Sequence, residues 1–540
     1  MEKAIGARGV TAGGSFPVNG DILHNILGRL PARCFASAAC VCKTWNCICN
    51  RILSRPKFAS AVSLNPSFDV AVKEVLRKVL SEPIRPHFAI ACIGVEFDLE
   101  ASHNLITEAL GSRTPVITNE ARGIIGIDAL TNEIKEVKWE SVSEDDSDAQ
   151  QYNSISNRNR GIVLALGFLP GFKADAISLL RPNKASQEVM VDKFIMDIRD
   201  YTASVSASAS PSCIIMFGDQ HVDMKPIIAK LDSAMAEETV IVGDACGCFL
   251  TRSRRKNNEI DGNDSLEVDA VALVLARDKN EPQGVGETIF HFTSSTGTIP
   301  FGPQLEAVST NVRGSRFTWL SALIEGDDEI LHGHSILKAL KEEIEYDDLE
   351  TDLFIGVVQY REQSIGSQNL GPSPSLAMYK VLGGDEEYFV VEGVGIRPGD
   401  SFLFYHSDTE TALSSSYNVL EDLSTLRPDP VGFQSLPKTR AAANSVSFGE
   451  KNEVFGGLIF SCHCRGRSYF GRPNVNTSPF SVNFPGVPLA GIFCAGEIGR
   501  AFPRSIREVE EEEDDSVRRC LHVYSTIYLV MSHVDGVEKE

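Results

Sequence analysis

The sequence has no hydrophobic run long enough to cross a membrane. A membrane-spanning helix needs about 20 consecutive apolar residues, and no run in the 540 residues approaches that length. The opening segment, MEKAIGARGVTAGGS, also lacks the continuous apolar stretch that is typical of a secretory signal. The mean hydropathy is −0.07, an ordinary value for a globular protein. We therefore expect a cytoplasmic and/or nuclear protein that does not contact membranes.

Basic residues are also scarce. The chain has 51 lysines and arginines against 73 aspartates and glutamates, so its net charge is −22. Unselective binding of nucleic acid needs a positive surface, and we therefore expect no nucleic-acid partner. A short basic cluster, Arg252-Ser-Arg-Arg-Lys256, lies in a polar segment. It has two interpretations, a nuclear import signal or a solvated loop.

The motifs of several common enzyme classes are missing. The sequence contains no G-x-x-x-x-G-K-[ST], no G-x-S-x-G and no H-E-x-x-H. It also has no leucine-rich period of about 20 to 29 residues and no other sustained repeat. Its 13 cysteines, in a chain without a secretory signal, favour free thiols over a disulfide framework. The sequence thus predicts a non-catalytic protein without a cofactor.

What is present after residue 60 is an alternation of apolar runs and helical patterns. We predict strands at His87–Phe97, Gly161–Leu169, Ser212–Phe217, Thr239–Val242, Val268–Ala276, Glu287–Phe292, Phe317–Ile324, Leu353–Gln359, Tyr388–Gly393, Ser401–His406, Glu453–His463, Leu489–Ala495 and Cys520–Met531. We predict helices at Asp69–Leu80, Glu100–Leu110, Gln187–Tyr201, Val222–Ala236, His334–Glu345 and Thr409–Leu423. This order predicts an α/β (α+β) class with layered sheets and buried strands. Three segments are predicted to be loops: Glu140–Arg160, Thr202–Ser212 and Gln363–Ser375.

Near the N-terminus, two amphipathic helices are predicted around Leu30-Pro31. The first has an apolar stripe of Ile22, Leu23, Ile26, Leu27 and Leu30. The second has apolar residues at steps of three and four, namely Ala38, Val41, Cys42, Trp45, Ile48, Cys49 and Ile52. A third short helix is predicted after Pro56. Because some 45 residues cannot bury this much apolar surface alone, part of it is expected to meet a partner.

This N-terminal segment resembles an F-box. Ile26-Leu27-x-x-Leu30-Pro31 matches the family's Ile-Leu-x-x-Leu-Pro, Val41-Cys42-Lys43-x-Trp45 matches its Val-Cys-Lys-x-Trp, and Phe16-Pro17 stands where Leu-Pro is usual. The resemblance implies a module that docks a Skp-type linker of a cullin-RING ubiquitin ligase. By the same resemblance Pro17, Leu23, Ile26, Leu27, Leu30 and Pro31 would face the linker, while Val41 and Trp45 would hold the box together. The alternative is an unrelated helical hairpin.

The segment Gly456–Gly499 carries the second motif. One predicted strand leads into Ser461-Cys462-His463-Cys464-Arg465-Gly466-Arg467, and a later one ends in Gly496-Glu497-Ile498-Gly499. If the two strands are neighbours, both polar ends converge on one cleft, with Gly466, Gly496 and Gly499 allowing tight turns. Arg465, Arg467 and Glu497 are then candidates for binding a zwitterionic or carboxylate group. A structural salt bridge is the alternative.

The same segment resembles the C-terminal FIST domain, which has Phe-Ser-Cys-x-x-Arg-Gly followed by Gly-Glu-Ile-Gly. The resemblance implies three domains, an F-box at 16–60, a FIST N-terminal-like domain at 70–315 and a FIST C-terminal-like domain at 316–535. It also implies a ligand or substrate pocket that includes Cys462, Arg465, Arg467 and Glu497.

The cluster Cys462-His463-Cys464 contains residue types that bind zinc. We nevertheless predict no metal and no Cys462–His463 catalytic pair, because neighbouring residues of a strand point to opposite faces. A buried thiol at a strand end is the preferred interpretation.

Two functions are favoured at this stage, and an enzyme with an unrecognised site is a third alternative. The first is a substrate receptor of an SCF-type ubiquitin ligase, which implies protein ubiquitination and proteasomal degradation of an unknown protein substrate. The second is a sensor in which a small, amino-acid-like molecule in the FIST pocket regulates protein interactions.

Overall fold

The computed structural model describes residues 20–139, 159–181, 186–253, 267–281, 286–314, 316–324, 326, 330–331, 333–334, 336–338, 352–365, 368–427, 452–500 and 519–536. The chain divides into two compact units. The first unit consists of Met1–Ser54 with Leu80–Arg85, and the second of Arg55–Val79 with Pro86–Glu540. Together they contain helices and strands, as the predicted α/β class requires. None of the described helices is both long and apolar enough to span a bilayer.

The first unit is built from three short helices. They are α1 (Gly20–Leu27), α2 (Ala32–Ala39) and α3 (Lys43–Ile52). Pro31 precedes α2, where its missing N–H costs no helical hydrogen bond. The thiol of Cys42 caps α3 by accepting a hydrogen bond from the Trp45 backbone N–H at 3.5 Å. The prediction of one continuous second helix is therefore wrong, because α2 ends at Ala39 and the Cys42 cap begins a separate helix, α3.

The core of the first unit comes from one face of each helix. Leu23, Leu27, Phe35, Ala38, Ile48 and Cys49 are buried together. A later segment of the chain completes the unit, since the backbone N–H of Ala32 donates to the Leu80 carbonyl at 3.0 Å. The first unit is therefore not one continuous stretch of sequence.

The second unit contains the remaining elements. Its helices are α4 (Phe68–Val79), α5 (Leu99–Leu110), α6 (Gln187–Val205), α7 (Met224–Ala234), α8 (Thr409–Ser424), α9 (Arg467–Phe470) and α10 (Ser478–Asn483). Its strands are β1 (Lys57–Ser63), β2 (Phe88–Ile93), β3 (Val116–Glu120), β4 (Gly123–Ile127), β5 (Ile134–Lys138), β6 (Ile162–Phe168), β7 (Phe172–Leu180), β8 (Cys213–Asp219), β9 (Val240–Arg252), β10 (Val268–Arg277), β11 (Glu287–Ser295), β12 (Thr298–Arg313), β13 (Phe317–Ile324), β14 (Ile330–Leu331), β15 (Leu353–Ile365), β16 (Gln368–Gly384), β17 (Phe389–Glu392), β18 (Ser401–Ser407), β19 (Asn452–Cys462), β20 (Leu489–Cys494), β21 (Glu497–Arg500), β22 (Leu521–His522) and β23 (Thr526–Val534).

Two sheets pack face to face in the middle of this unit. The first sheet has the order β1-β6-β2-β3-β9-β8-β10-β7, with β21 beside β9 and β22 beside β21. The second sheet has the order β11-β23-β19-β20-β4-β5. Side chains from both sheets form one hydrophobic core, for example Phe88 and Phe217 from the first and Phe460 and Ile492 from the second. Strands that are buried on both faces have nearly continuous apolar sequences, and most of these strands could therefore be predicted from the sequence.

Helices cover the outer faces of both sheets. Ile198 of α6 and Ile227 of α7 pack against the first sheet. Val419 and Leu423 of α8 and Phe480 of α10 pack against the second. The result is a four-layer arrangement of helices, sheet, sheet and helices, and this confirms the layered class predicted from the sequence.

The third sheet closes into a barrel. Its order is β12-β18-β15-β16-β17-β13, β14 is added beside β13, and a further pairing of β12 with β13 closes the ring. All of these pairings are antiparallel. Phe389, Phe402 and Phe404 lie in its core within 6 Å of one another, measured between ring centroids.

Several local predictions are wrong. Residues 57–63 form β1 and not a helix, because they pair with β6 and bury Ala61 and Val62. Gln363–Ser375 is not a loop, since it lies in the long β15–β16 hairpin, which is paired out to Ile365 and Gln368. Helix α6 continues to Val205, into the segment predicted as a connection. The predicted loop at 140–160 lies outside the described residues except for residues 159–160. Of the predicted helix at 334–345 the structure describes residues 334 and 336–338, and these are helical.

The predicted division at residue 315 crosses paired strands. It falls between β12 and β13, which are neighbours in the barrel. In addition, β4 pairs with β20, and β21 pairs with β9. Residues on both sides of the predicted division therefore share all three sheets and lie in one compact unit. As family assignments, the two FIST-like domains stay a prediction.

Buried histidines make the second unit sensitive to acid. Burial lowers the pKa of His103 from 6.5 to about 4, and the pKa values of His291 and His522 are also about 4 for the same reason. The unfolded chain therefore binds more protons than the folded chain between pH 6.5 and pH 4, so stability decreases as the pH falls through that range.

We expect His103→Gln to reduce this acid sensitivity, because glutamine can keep the hydrogen bond to Thr118 (2.9 Å in the native protein) and does not titrate. The loss of unfolding free energy between pH 6.5 and 4 should shrink by up to roughly 3 kcal/mol, measured by chemical unfolding at a series of pH values. His221→Gln, at an exposed histidine, is the control. Equal pH dependence in both variants would contradict the assignment.

Candidate functional site

A cavity of about 350 Å3 lies in the second unit. Its wall is formed by the segment after β8, the middle of β9 and the start of α7, by the barrel, and by the turns after β19, β20 and β22. Cys462, His463, Cys464 and Glu497 line it. The cavity thus contains part of the pocket predicted from the sequence.

The pairing of β19 with β20 brings these residues together. The two strands are parallel neighbours, with Cys462 opposite Cys494 at their ends. Since parallel strands finish at the same edge of a sheet, the segments that follow them meet there. This confirms the prediction that the two polar strand ends converge on one cleft.

A tight turn follows Cys462. The Arg465 N–H donates to the Cys462 carbonyl at 2.9 Å, and the His463 N–H donates to the Cys494 carbonyl at 2.8 Å. As a result, the Cys464 thiol lies 3.6 Å from Nε2 of His463. The argument that neighbouring residues point to opposite faces is therefore wrong here, because the strand ends at Cys462 and the alternation stops.

The three side chains change one another's proton affinity. Hydrogen bonds from Cys462 and His463 lower the pKa of Cys464 to about 4 and outweigh the opposing effect of burial. The pKa of His463 is raised, first by its hydrogen bond to Cys464. The pKa of Cys462 is raised, first by Cys464 and then by burial. The shifts of the two thiols thus have opposite directions, because each is the other's hydrogen-bond partner.

Two buried carboxyl groups lie beside this turn. Glu497 opens β21 and pairs across the strands with Asp244 of β9. Burial raises the pKa of Asp244 to about 7 and that of Glu497 well above its usual range. The thiol of Cys462 and the backbone of Ser525 are near enough to lower the pKa of Glu497 partly. No donor among the described residues meets hydrogen-bond geometry at either Glu497 oxygen.

Arg465 does not line the cavity. Its guanidinium is buried and donates to the carbonyls of Ser295 (3.1 Å) and Tyr524 (3.0 Å) and to the hydroxyls of Ser295 (2.8 Å) and Ser416 (3.1 Å). Arg467 is exposed at the start of α9 and also lies outside the cavity wall. The prediction that Arg465 and Arg467 line a cleft opposite Glu497 is therefore wrong. The Arg465 guanidinium instead holds the backbone carbonyls of Ser295 and Tyr524 in place.

Other cations line the cavity. Arg316 lies 3.4 Å from Glu392, Lys380 lies 2.6 Å from Asp352, and Nζ of Lys225 is 5.2 Å from the ring centroid of Tyr379. Sequence reasoning missed them because they come from the β12–β13 turn, from β16 and from α7. No local motif joins such residues.

The three motif glycines do not make turns with positive φ, since none of them is among the residues that have it. Gly466 has an extended backbone with φ of −153°. Gly499 lies within β21, and a Cβ atom there would meet Ile527 at 2.6 Å. Gly499 is therefore needed for close packing and not for a turn, whereas Gly466 and Gly496 lie in the bends after β19 and β20, without a positive φ.

In the first unit, burial separates the predicted linker-facing residues into two groups. Leu23 and Leu27 are buried in the unit's own core, and Leu30 is half-buried. Ile26 and Pro31 are exposed. The linker-facing role predicted for Leu23 and Leu27 does not fit this burial. Pro17 lies outside the described residues.

The two residues predicted to hold the box together also differ. Trp45 is half-buried and packs on the core of the first unit. Val41 is 63% exposed, so it does not have the predicted structural role.

Arg252 of the basic cluster also has a structural role. Its guanidinium donates to the carbonyls of Thr107, Gly111 and Thr114, at 2.7 to 2.9 Å. It therefore fixes the end of α5 and is not a free member of an import signal. Residues 254–266 lie outside the described part of the chain.

We expect Arg465→Ala to destabilise the second unit by at least about 3 kcal/mol, because it leaves buried carbonyl groups without donors. Arg467→Ala, two residues away and exposed, should change stability by less than about 0.5 kcal/mol. Thermal and denaturant unfolding of the two variants would measure this. A native-like Arg465→Ala protein would refute the structural role.

Comparisons with known proteins agree with the first motif. Residues 21–56 match the F-box-like family. An F-box/LRR-repeat protein of Arabidopsis thaliana is 39% identical over 522 residues, which is 96% of this chain and 93% of that protein. Two uncharacterized proteins of Mycobacterium tuberculosis, from strains CDC 1551 and H37Rv, are each 50% identical over 44 residues, or 8% of this chain and 12% of theirs.

The leucine-rich-repeat part of the plant relative's name has no counterpart here. The sequence lacks the repeat period, and the described residues form two packed sheets and a barrel. The F-box part does have a counterpart, namely the three helices of the first unit. With the family match at residues 21–56 and a full-length relative that is an F-box protein, this chain belongs to the F-box protein family.

Proposed function

We propose that this chain is the substrate-recognition subunit of an SCF-type (Skp–cullin–F-box) ubiquitin ligase. In this proposal the first unit docks a Skp-type linker, and the second unit, with its FIST resemblance, binds the protein to be ubiquitinated. The receptor itself is non-catalytic and acts by bringing the substrate to the ligase. We also propose a cytoplasmic and/or nuclear location.

One observation carries the docking part of this proposal. Among its described residues, the first unit exposes three large apolar side chains, Ile22 at 55%, Ile26 at 53% and Val41 at 63%. Such residues are the kind that become buried in a protein interface. Ile22 and Ile26 are four positions apart on α1 and therefore lie on one face of that helix. Pro31 is also exposed. We propose that these residues, and not Leu23 or Leu27, contact the linker.

We expect Ile22→Asp combined with Ile26→Asp to abolish capture of a Skp-type linker and its cullin. Each substitution places a charge in an apolar interface, at a cost of about 2 kcal/mol or more in binding. Co-purification of the linker with the full-length chain measures the effect. The unfolding midpoint should not change, because both side chains are exposed.

The matched control is Val70→Asp combined with Val312→Asp, at exposed valines of the second unit. This control should retain the linker. If the Ile22/Ile26 variant also retained it, the docking surface assigned here would be wrong.

The cavity supports a second candidate function, a sensor of a small ligand. Its wall carries Lys225, Arg316 and Lys380 together with Glu392 and Glu497, so it offers both signs of charge. A zwitterionic molecule such as an amino acid complements such a wall. We propose that a ligand bound there regulates how the second unit binds its protein partner.

A thermal-shift screen of amino acids and small carboxylates against the full chain tests the sensor proposal. We expect at least one compound to raise the unfolding midpoint by a few degrees, since binding to the folded state alone stabilises it. Arg316→Met should remove the shift, while Arg467→Met, at an exposed arginine outside the cavity, should keep it. A screen without any shift would argue against the sensor.

A further inference from the structure

Cys462, His463 and Cys464 have the spacing of a metal-binding group. Among the described residues, their ligand atoms all lie within 4.8 Å of one another. Nε2 of His463 and Sγ of Cys464 are 3.6 Å apart. In a tetrahedral zinc site, with Zn–S of about 2.3 Å and Zn–N of about 2.0 to 2.1 Å, a sulfur and a nitrogen ligand are about 3.6 Å apart. This pair therefore already has the separation that zinc requires.

The histidine is also held in a suitable orientation. Its Nδ1 lies 3.2 Å from the backbone carbonyl of Cys494. Because that oxygen can only accept, Nδ1 carries a proton, and Nε2 is the ring nitrogen that can bind a metal ion in place of its own proton. Metal-binding histidines commonly donate their other ring N–H to a carbonyl in this way.

Glu497 provides an independent observation. Its side chain is fully buried, lines the same cavity, and lacks a hydrogen-bond donor at both oxygens among the described residues. The buried cation of the same motif, Arg465, donates instead to Ser295, Ser416 and Tyr524. A buried carboxyl group is costly to ionise, and a metal ion is one of the partners that offset this cost.

We propose that Cys462, His463 and Cys464 bind a zinc ion, with the carboxylate of Glu497 as the fourth ligand. Thiolate and imidazole ligands suit zinc, whereas magnesium and calcium prefer oxygen ligands. The ion would connect the turn after β19 to the start of β21 and so fix one wall of the cavity. This proposal does not depend on the role in a ubiquitin ligase.

Metal analysis of the full-length chain tests the proposal directly. The protein is purified under reducing conditions, loaded with zinc, and freed of unbound metal before its zinc content is measured. We expect about one zinc ion per chain, and we expect Cys462→Ser and Cys464→Ser to lose it. Cys246→Ser is the matched control, because this thiol lines the same cavity but lies outside the group. Glu497→Gln should weaken zinc binding by at least tenfold.

Two measurements on the native chain remain informative if a variant fails to fold. Loading with Co2+ should give the visible bands of a tetrahedral ion and a thiolate-to-metal charge-transfer band. Zinc should protect Cys464 from alkylation by N-ethylmaleimide but leave the exposed Cys34 and Cys40 of the first unit reactive.

Two outcomes would overturn the proposal. One is zinc content in the native chain no higher than in a folded Cys462→Ser, Cys464→Ser double variant. The other is a metal-free chain in which these two thiols instead form a disulfide with each other on mild oxidation, with no protection of Cys464 by zinc.

Discussion

The parallel pairing of β19 with β20 is the constraint on which the cavity depends. Both strands lie inside the second sheet, with β23 on one side and β4 on the other. Their ends therefore cannot move without breaking hydrogen bonds on two sides. This fixes where the Cys462–Arg465 turn begins and where the chain enters β21. Backbone hydrogen bonds between the paired strands determine which side chains meet at this edge, and contacts between those side chains do not.

Around this edge the protein buries more charge than a hydrophobic core ordinarily contains. Asp244 and Glu497 face each other across two strands, and Arg465 lies fully buried among carbonyls and hydroxyls. Burial disfavours the charged form of a carboxyl group, which is why the pKa values of Asp244 and Glu497 are raised. The cost of burying the Arg465 charge is offset by the hydrogen bonds that its guanidinium donates. Asp244 accepts a hydrogen bond from the Cys246 backbone N–H, whereas Glu497 lines the cavity.

The amino-acid sequence predicts the parts of this structure that short-range patterns control. Continuous apolar runs identify β2, β6, β8 and β10, because strands buried on both faces need no polar side. The convergence of Cys462 and Glu497 also follows from two local motifs. The direction of the Arg465 side chain does not follow from a local motif, because its partners Ser295 and Ser416 are 170 and 49 residues away in the sequence. The Gln363–Ser375 hairpin lacks an apolar pattern and is specified by pairing along the whole of β15 and β16.

The first unit reaches across a gap in the sequence to include Leu80–Arg85, and this affects how the F-box can be handled as a module. A cut after residue 54 would separate Ala32 from the Leu80 carbonyl to which it donates. It would also leave the Leu80–Arg85 segment on the remaining chain without its helices. The F-box of this protein is thus not a cassette that can be excised or grafted onto another receptor as one continuous piece. A transplanted version has to carry Leu80–Arg85 by means of an engineered linker.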